Sequence, residues 1–257
     1  MNNASIAATK KLGGKAALIT GGSSGIGLAT ARLFLEEGAR VAITGRDADS
    51  LARAQKTLGA ETLVVKSDAS NLGQIEALMA QVRDRYERID VLFVNAGIAR
   101  AAAFEEVSEA QFDEIVAINF KGAFFTIQKA LPLLAANAAV IVTTSIANRK
   151  GAPDYSVYAA SKAALRSLVQ SLGLALIGRG IRVNAISPGP VATPMFGRSG
   201  LPEELMQARK RALAEKSPIK RLATPEEIAR VALFLASDDS SYMVGAEIVV
   251  DGAIGIL

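Results

Sequence analysis

The sequence predicts a three-layer α/β fold, in which a seven-stranded parallel sheet is covered by helices on both faces. Seven short runs rich in β-branched residues alternate with longer amphipathic stretches over the whole chain. Several of these runs are apolar throughout, which is typical of parallel strands buried on both faces. The alternation contains no repeat and no linker, so it indicates one domain rather than two.

Each predicted strand is a short apolar run, and most neighbouring runs are far enough apart in the chain for a helix to connect them. Parallel strands need such a crossover, because a tight hairpin can join only antiparallel neighbours. In chain order the predicted strands are Ala16–Thr20, Arg40–Thr44, Thr62–Lys66, Val91–Val94, Ala139–Thr144, Arg182–Ile186 and Glu247–Val250.

Capping residues mark the ends of several helices. The pattern of Ser108 followed by Gln111 is a capping box and begins a predicted helix that extends through Leu134. The segment Thr224–Glu227 combines an N-cap, proline in the first turn and glutamate at the third position. Gly38 suits the left-handed position that ends the first helix. A long amphipathic helix is predicted over Ser156–Ile177.

The chain divides into a loose tail at residues 1–12 and a single domain at 13–257. The tail is small and polar, which does not suit a packed element. Residues 189–217 interrupt the alternation with two Pro–Gly clusters and a short amphipathic helix. We therefore expect a mobile loop there.

The composition excludes several kinds of chemistry. The 257 residues include neither cysteine nor histidine, which excludes disulfides, thiolate nucleophiles, imidazole bases and metal sites built from these residues. Proton transfer must then use Tyr, Lys, Asp, Glu, Ser or a cofactor. The net charge is only +4 and the charges are spread along the chain, so we expect neither a nucleic-acid nor a membrane partner. Neither a long apolar run nor a secretory signal is present, so we expect a cytoplasmic protein.

A glycine-rich turn follows the first predicted strand. Gly21, Ser23, Ser24, Gly25, Ile26 and Gly27 lie between that strand and a helix. Such a turn lets the backbone approach a pyrophosphate at the helix N-terminus, which predicts a dinucleotide site; an ordinary glycine-rich loop is the alternative. The same residues match a G-x-S-x-G nucleophile elbow, but the chain has no histidine to serve it. No Lys-Ser/Thr pair follows, which excludes a P-loop.

A second group of residues carries acid–base potential. Tyr158 and Lys162 lie four residues apart on one helix, so their side chains share a face. A nearby cation favours the phenolate, so we expect Lys162 to lower the pKa of Tyr158 from its usual value near ~10. Ser145 ends the fifth strand, and ligands bind at this end of a parallel sheet. The alternatives are an incidental Tyr/Lys pair and a serine that caps a turn.

Taken together, these motifs resemble the short-chain dehydrogenase/reductase family over most of the chain. The cofactor turn, Asp68 and Ala69 after the third strand, and Asn95, Ala96 and Gly97 after the fourth match in order and spacing. So do Asn119, Ser145, Tyr158 and Lys162, followed by Pro188, Gly189, Val191 and Thr193. The resemblance implies a doubly wound, Rossmann-type fold.

The resemblance also implies how these residues act. Tyr158 would pass a proton to a carbonyl oxygen while the nicotinamide delivers hydride to the carbon. Ser145 would hydrogen-bond that oxygen, Lys162 would bind the nicotinamide ribose, and Asn119 would hold a proton-relay water. Asp68 and Ala69 would lie beside the adenine, and Pro188–Thr193 beside the nicotinamide. Tyr155 has no lysine four residues on and ranks below Tyr158.

Arg46 favours NADP(H) over NAD(H). An NAD-selective fold usually places an acidic residue at the end of the second strand, where this chain has Thr44 and Gly45, followed by Arg46. A guanidinium suits a 2′-phosphate. Two features weigh against this choice: Asp47 lies next to Arg46, and Ser24 stands where relatives often carry a basic residue.

Three further expectations concern substrate, alternatives and assembly. Met195, Phe196, Leu201, Leu205 and Met206 indicate an apolar pocket rather than a sugar or acid site, and Arg100 is expected to be solvated. A carbonyl/alcohol oxidoreductase is the first hypothesis. A 3-oxoacyl thioester reductase is the second, and a catalytically silent dinucleotide-binding regulator is the third. The apolar excess of the Ser108 and Ser156 helices and the apolar C-terminus predict a homotetramer, as in relatives.

Overall fold

The computed structural model describes residues 10–195, 197 and 203–256. Its sheet has seven parallel strands in the order β3-β2-β1-β4-β5-β6-β7, which confirms the predicted fold class. The strands are β1 Ala16–Ile19, β2 Arg40–Gly45, β3 Leu63–Lys66, β4 Ile89–Val94, β5 Leu134–Thr143, β6 Arg182–Pro188 and β7 Glu247–Val250.

Helices cover both faces of the sheet. They are α1 Gly25–Glu36, α2 Ala48–Leu58, α3 Leu72–Tyr86, α4 Glu109–Val116, α5 Gly122–Ala130, α6 Ser156–Leu176, α7 Glu203–Lys216 and α8 Pro225–Ala236. Alternate residues of β1 point to opposite faces, so Leu18 packs with residues of α3, α5 and α6 whereas Ile19 packs with residues of α1 and α8. The strand order reverses between β1 and β4, and a doubly wound sheet binds its ligand at that reversal.

The predicted helix over Ser108–Leu134 is shorter and less regular than expected. After α4 the backbone takes a π-helical turn at Ala117–Lys121 before α5 begins. Helical structure stops near Pro132, whose missing N–H cannot continue the helix. β5 then begins at Leu134 instead of Ala139, with an irregular register between its pairings to Ile89 and Val91.

Two predicted boundaries also need correction. Met1–Thr9 of the predicted 1–12 tail lie outside the described residues. Leu12 is fully buried, its N–H donates to the Glu37 carbonyl at 3.0 Å, and Lys11 forms an ion pair with Asp239. The domain therefore already includes residues 10–12. In the predicted loop at 189–217, the described part contains a 14-residue helix, α7, which is longer than the short helix expected there.

Capping explains why several helices begin where they do. The Thr224 side chain accepts from the Glu227 N–H and the Glu227 carboxylate accepts from the Thr224 N–H, which completes the predicted box at the start of α8. Ser108 accepts from the Gln111 N–H at the start of α4. Gly38 has a φ of +86° after α1, as predicted. Within the described ranges, none of the helices has both the length and the apolar character needed to cross a bilayer.

Candidate active site

A cavity of about 1000 Å³ opens along the carboxyl ends of the strands, across the point where the strand order reverses. Most of the residues predicted from the sequence line it. They are Gly21, Ser23, Ser24, Gly25, Ile26, Arg46, Asp68, Ala69, Asn95, Ala96, Gly97, Ser145, Tyr158, Lys162, Pro188, Gly189, Val191 and Thr193. Gly27 and Asn119 do not line the cavity and lie behind its wall.

The glycine turn has the backbone that its sequence predicts. Gly21 and Gly25 have φ values of +66° and +54°, a region that glycine enters without strain. A Cβ on Gly27 would lie 2.3 Å from the Gly21 carbonyl oxygen, so only glycine lets α1 pack this closely on the turn. The turn therefore needs glycine at all three positions.

The N-terminus of α1 suits a bound phosphate. The N-cap residue Ser24 makes no side-chain capping bond, although the caps of α2, α3, α4 and α8 do. The first N–H groups of α1 are thus left without a side-chain cap where the cavity meets the helix, and the helix dipole favours negative charge there. Together with the glycine turn, this fits the pyrophosphate of a dinucleotide.

Side chains at the ends of three adjacent strands brace one another. The Thr20 hydroxyl accepts from the backbone N–H groups of Asn95 and Ala96, at 3.0 and 3.1 Å. The Asn95 amide donates to the Thr20 carbonyl at 3.2 Å, and its oxygen accepts from the Thr143 hydroxyl at 3.2 Å. These bonds join the glycine turn to the ends of β4 and β5.

Asn119 lies in the π-helical turn and is 0% exposed. Its amide donates to the Ile98 carbonyl at 2.9 Å and to the Ser161 hydroxyl at 3.1 Å, and its oxygen accepts from the Ile98 N–H at 2.8 Å. It therefore ties the segment after β4 to α6, which carries Tyr158 and Lys162. A Cβ on Gly97 would lie 3.3 Å from the Asn119 side-chain oxygen and 3.4 Å from the Lys162 ammonium.

Ser145 and Tyr158 meet at the cavity wall. Burial raises the pKa of the Tyr158 phenol, and a hydrogen bond with the Ser145 hydroxyl offsets part of that rise. The Ser145 oxygen also accepts from the Ala147 N–H at 3.2 Å, so the serine caps a short turn as well as contacting the tyrosine. The turn cap proposed from the sequence is thus a real contact, and the serine also lines the cavity.

Lys162 is only 3% exposed, and its ammonium donates to the Thr143 carbonyl at 2.8 Å. Burial lowers the pKa of this ammonium to about 8. The nitrogen lies 5.8 Å from the centre of the Tyr158 ring. The two side chains share a helix face, as predicted.

The predicted direction of the Tyr158 pKa shift is wrong for the protein without a ligand. We expected Lys162 to lower the pKa of Tyr158, but desolvation of the phenol dominates and raises it. The spacing of two residues on a helix predicts their proximity. It does not predict how far the surrounding fold removes them from water.

Arg46 and Asp68 lie near each other in the part of the cavity beside the ends of β2 and β3, which is called the outer half below. The Arg46 guanidinium lies 4.0 Å from the Asp68 carboxylate. The Asp68 carboxylate also accepts from the N–H and hydroxyl of Ser70. Gly45 leaves room for Ser23, because a Cβ there would lie 2.8 Å from the Ser23 hydroxyl oxygen.

The segment after β6 borders the rest of the cavity, between Tyr158 and α7, which is called the inner half below. A Cβ on Gly189 would lie 2.8 Å from the Asp251 Cα, and Thr193 packs on the glycine turn at Gly25. Met195 and Met206 line the cavity, whereas Leu205 is exposed and does not. Phe196 and Leu201, also expected here, lie outside the described residues. Arg100 forms an ion pair with Glu114 instead of being free in solvent.

Sequence reasoning missed Thr143 and Arg209, gave Thr20 no role of its own, and ranked Tyr155 below Tyr158. Thr20 and Thr143 supply the bracing bonds, and their positions as polar residues at strand ends could have identified them. Tyr155 and Arg209 line the cavity together. No local signal marks Arg209, because α7 reaches the site only through the tertiary fold.

Comparison with known proteins identifies the family. A family model described as "Enoyl-(Acyl carrier protein) reductase" matches residues 21–254. The chain belongs to the short-chain dehydrogenase/reductase family. It is 40% identical to "Oxidoreductase asL5" of Sarocladium schorii, over 97% of this chain and 99% of that protein. It is 39% identical to the 3-oxoacyl-(acyl-carrier-protein) reductase FabG of Thermotoga maritima, over 96% of this chain and all of that protein.

The structure of a levodione reductase superposes with a TM-score of 0.90 at 32% identity, covering 95% of this chain and 99% of that one. Short-chain dehydrogenases/reductases use a nicotinamide dinucleotide, and this chain is an oxidoreductase acting on CH–OH groups. The glycine turn, the uncapped start of α1 and the cavity fit such a cofactor.

The buried ammonium predicts a pH-dependent difference in stability. Because the folded protein favours neutral Lys162, the cost of burying its charge is fully present below about pH 8 and disappears as the pH approaches 10.5. The stability of Lys162→Met relative to the wild type should therefore be higher at pH 7 than at pH 10.5. This relative stability should fall by about 2–3 kcal/mol between pH 7 and pH 10.5, measured by urea unfolding. Lys56→Met, at an exposed site on α2, should show no such trend. A gap that stays constant with pH for Lys162→Met would contradict the prediction.

Proposed function

We propose that this protein reduces a ketone to a secondary alcohol with NADPH, and catalyses the reverse oxidation with NADP⁺. The observation that carries the proposal is the placement of Ser145, Tyr158 and the buried ammonium of Lys162 together at the wall of one cavity. This arrangement can present one proton donor and one hydrogen-bond donor to the same carbonyl oxygen.

The dinucleotide would lie along the carboxyl edge of the sheet. The Gly21–Gly27 turn would hold its pyrophosphate, with Asp68 and Ala69 beside the adenine. Asn95–Gly97 and Pro188–Thr193 would border the nicotinamide half. When bound, the nicotinamide supplies or accepts the hydride, and the protein supplies the proton chemistry.

Tyr158 would act as the acid in reduction and as the base in oxidation. Its raised pKa keeps the phenol protonated at neutral pH, which suits donation to a carbonyl oxygen. When the proton leaves, the nearby ammonium of Lys162 stabilises the phenolate. Asn119 would hold the route that returns a proton to this site. Ser145 orients the carbonyl.

Reduction of a 3-oxoacyl thioester is the second candidate. It is favoured by the 39% identity to a protein named as a 3-oxoacyl-(acyl-carrier-protein) reductase. A screen of ketones, aldehydes and acetoacetyl thioesters with NADPH separates the two candidates. A silent regulator is disfavoured, because Asn119, Ser145, Tyr158 and Lys162 are all present.

Tyr158→Phe tests the acid–base role. The variant keeps the ring but loses the proton, so turnover should fall by at least ~10²-fold, the usual scale of general acid catalysis. NADPH binding, followed by fluorescence titration, should change little. The control Tyr242→Phe removes a hydroxyl at a fully exposed site and should leave turnover unchanged. Near-normal turnover in Tyr158→Phe would overturn the assignment.

Arg46→Ala tests the cofactor preference. Arg46 is the cation at the end of β2, where the 2′-phosphate of NADPH would lie. Its loss should weaken NADPH by about 1.5–3 kcal/mol and leave NADH nearly unaffected. Dissociation constants for both cofactors give the measurement, with Lys56→Ala as a charge-matched control on α2. An equal effect on both cofactors, or a wild type that prefers NADH, would rule out this role.

We also propose that the protein is a homotetramer. Part of the predicted apolar excess belongs to the core, because Ile115, Ile118 and Ile127 are buried. Another part faces outward in the single chain: Leu174 on α6 is 81% exposed and Ile256 near the C-terminus is 87% exposed. Phe112 on α4 and Phe124 on α5 are exposed as well. Such side chains favour burial against other copies of the chain.

Light scattering at micromolar concentration measures the assembly directly. We expect the mass of four chains of 26.8 kDa each. A dimer mass would keep the helix faces as an interface and remove the role given to the C-terminal residues. A mass near 26.8 kDa would refute the assembly altogether.

A further inference from the structure

The inner half of the cavity, beyond Tyr158, is walled mainly by apolar side chains. Ile146, Met195, Met206 and Leu213 line it, together with Tyr155. Among the described residues that line the whole cavity, the carboxylates are Asp47 and Asp68, and both belong to its outer half beside Arg46. The inner half contains cations instead.

Arg209 is the cation that faces this inner space from α7. Its guanidinium carbon lies over the Tyr155 ring, 5.1 Å from the ring centre. The Tyr155 ring in turn stands edge-on to Tyr158, with ring centres 6.1 Å apart. One aromatic ring therefore separates Arg209 from the proposed acid.

In the described part of the chain, Arg209 has no carboxylate within ion-pair distance. The ion pairs of that part do not include it. On its own helix, Glu203 accepts from the Gln207 amide instead. The second cation that lines this half, Lys150, donates to the Ile254 carbonyl at 2.7 Å.

A partly buried guanidinium beside apolar walls binds a carboxylate well, because its planar fork forms two parallel charge-assisted hydrogen bonds. Contact with the Tyr155 ring restricts the guanidinium before a ligand binds, which reduces the entropy lost on binding. The guanidinium lies 5.1 Å from the Tyr155 ring and that ring lies 6.1 Å from Tyr158, and a gap of this size suits a hydrocarbon spacer about one ring long.

We propose that Arg209 binds a carboxylate on the substrate, so that the preferred substrates are oxo acids and hydroxy acids with a spacer about one ring long. This rests on the proposed function and adds the substrate class. It also revises the purely apolar pocket predicted from the sequence, which rested on the methionine and leucine residues and did not include α7 as a source of charge.

The test uses three ketones that differ only at the position facing Arg209. 4-Acetylbenzoate carries a carboxylate one ring from its ketone, methyl 4-acetylbenzoate carries a neutral ester there, and acetophenone carries nothing. We expect the wild type with NADPH to have a kcat/KM at least tenfold higher for 4-acetylbenzoate than for the ester. Calorimetric titration of the NADP⁺-saturated protein should show the same order of affinity.

Variants on α7 assign the preference to one residue. Arg209→Gln should lower kcat/KM for 4-acetylbenzoate by about 10–100-fold, mainly through KM, and leave acetophenone within about twofold. Arg209→Lys should restore part of the loss, because the charge returns without the planar fork. Arg211→Gln removes the same charge from an exposed position on the same helix, outside the cavity lining, and should change nothing.

The outcomes separate this inference from the proposed function. If the wild type handles and binds the ester as well as the acid, or if Arg209→Gln impairs all three ketones equally, the carboxylate site is wrong and ketone reduction stands. An equal loss would assign Arg209 to holding α7 on Tyr155. If no ketone or thioester is reduced with either cofactor, the proposed function fails, and the calorimetric comparison of acid with ester still decides the binding site.

Discussion

A continuous chain of hydrogen bonds across the strand ends holds the site together. It runs from Thr20 at the end of β1 to Asn95 after β4, then to Thr143 in β5, and from the Thr143 carbonyl to Lys162 on α6. Each link joins segments far apart in sequence. Because these hydrogen bonds cross the place where the strand order reverses, they set the position of the glycine turn relative to Lys162.

Burial at the end of this chain of hydrogen bonds shifts the pKa values of Lys162 and Tyr158. The Lys162 ammonium has a carbonyl partner and almost no contact with water, which lowers its pKa, and the same desolvation raises the pKa of Tyr158. The two shifts place the pKa of the Lys162 ammonium below that of the Tyr158 phenol, which reverses their usual order.

The two halves of the cavity are built differently. In the outer half, backbone groups and glycines form the wall, and a Cβ at Gly21, Gly27 or Gly45 would meet neighbouring atoms at about 3 Å or less. In the inner half, side chains such as Ile146, Met195 and Arg209 form the wall.

The sequence by itself determined most of the strands and helices and the order in which the residues of the site follow one another along the chain. Strand periodicity, the box at Thr224–Glu227, Gly38 and the glycine turn are signals between residues a few positions apart, and a local pattern is enough to read them. The spacing of Tyr158 and Lys162 likewise placed them on one face. Only the tertiary structure decided the π-helical turn at Asn119, the early start of β5 at Leu134, the direction of the Tyr158 pKa and the stacking of Arg209 on Tyr155. Each of these depends on desolvation, or on contacts between segments far apart in the chain, which no local periodicity records.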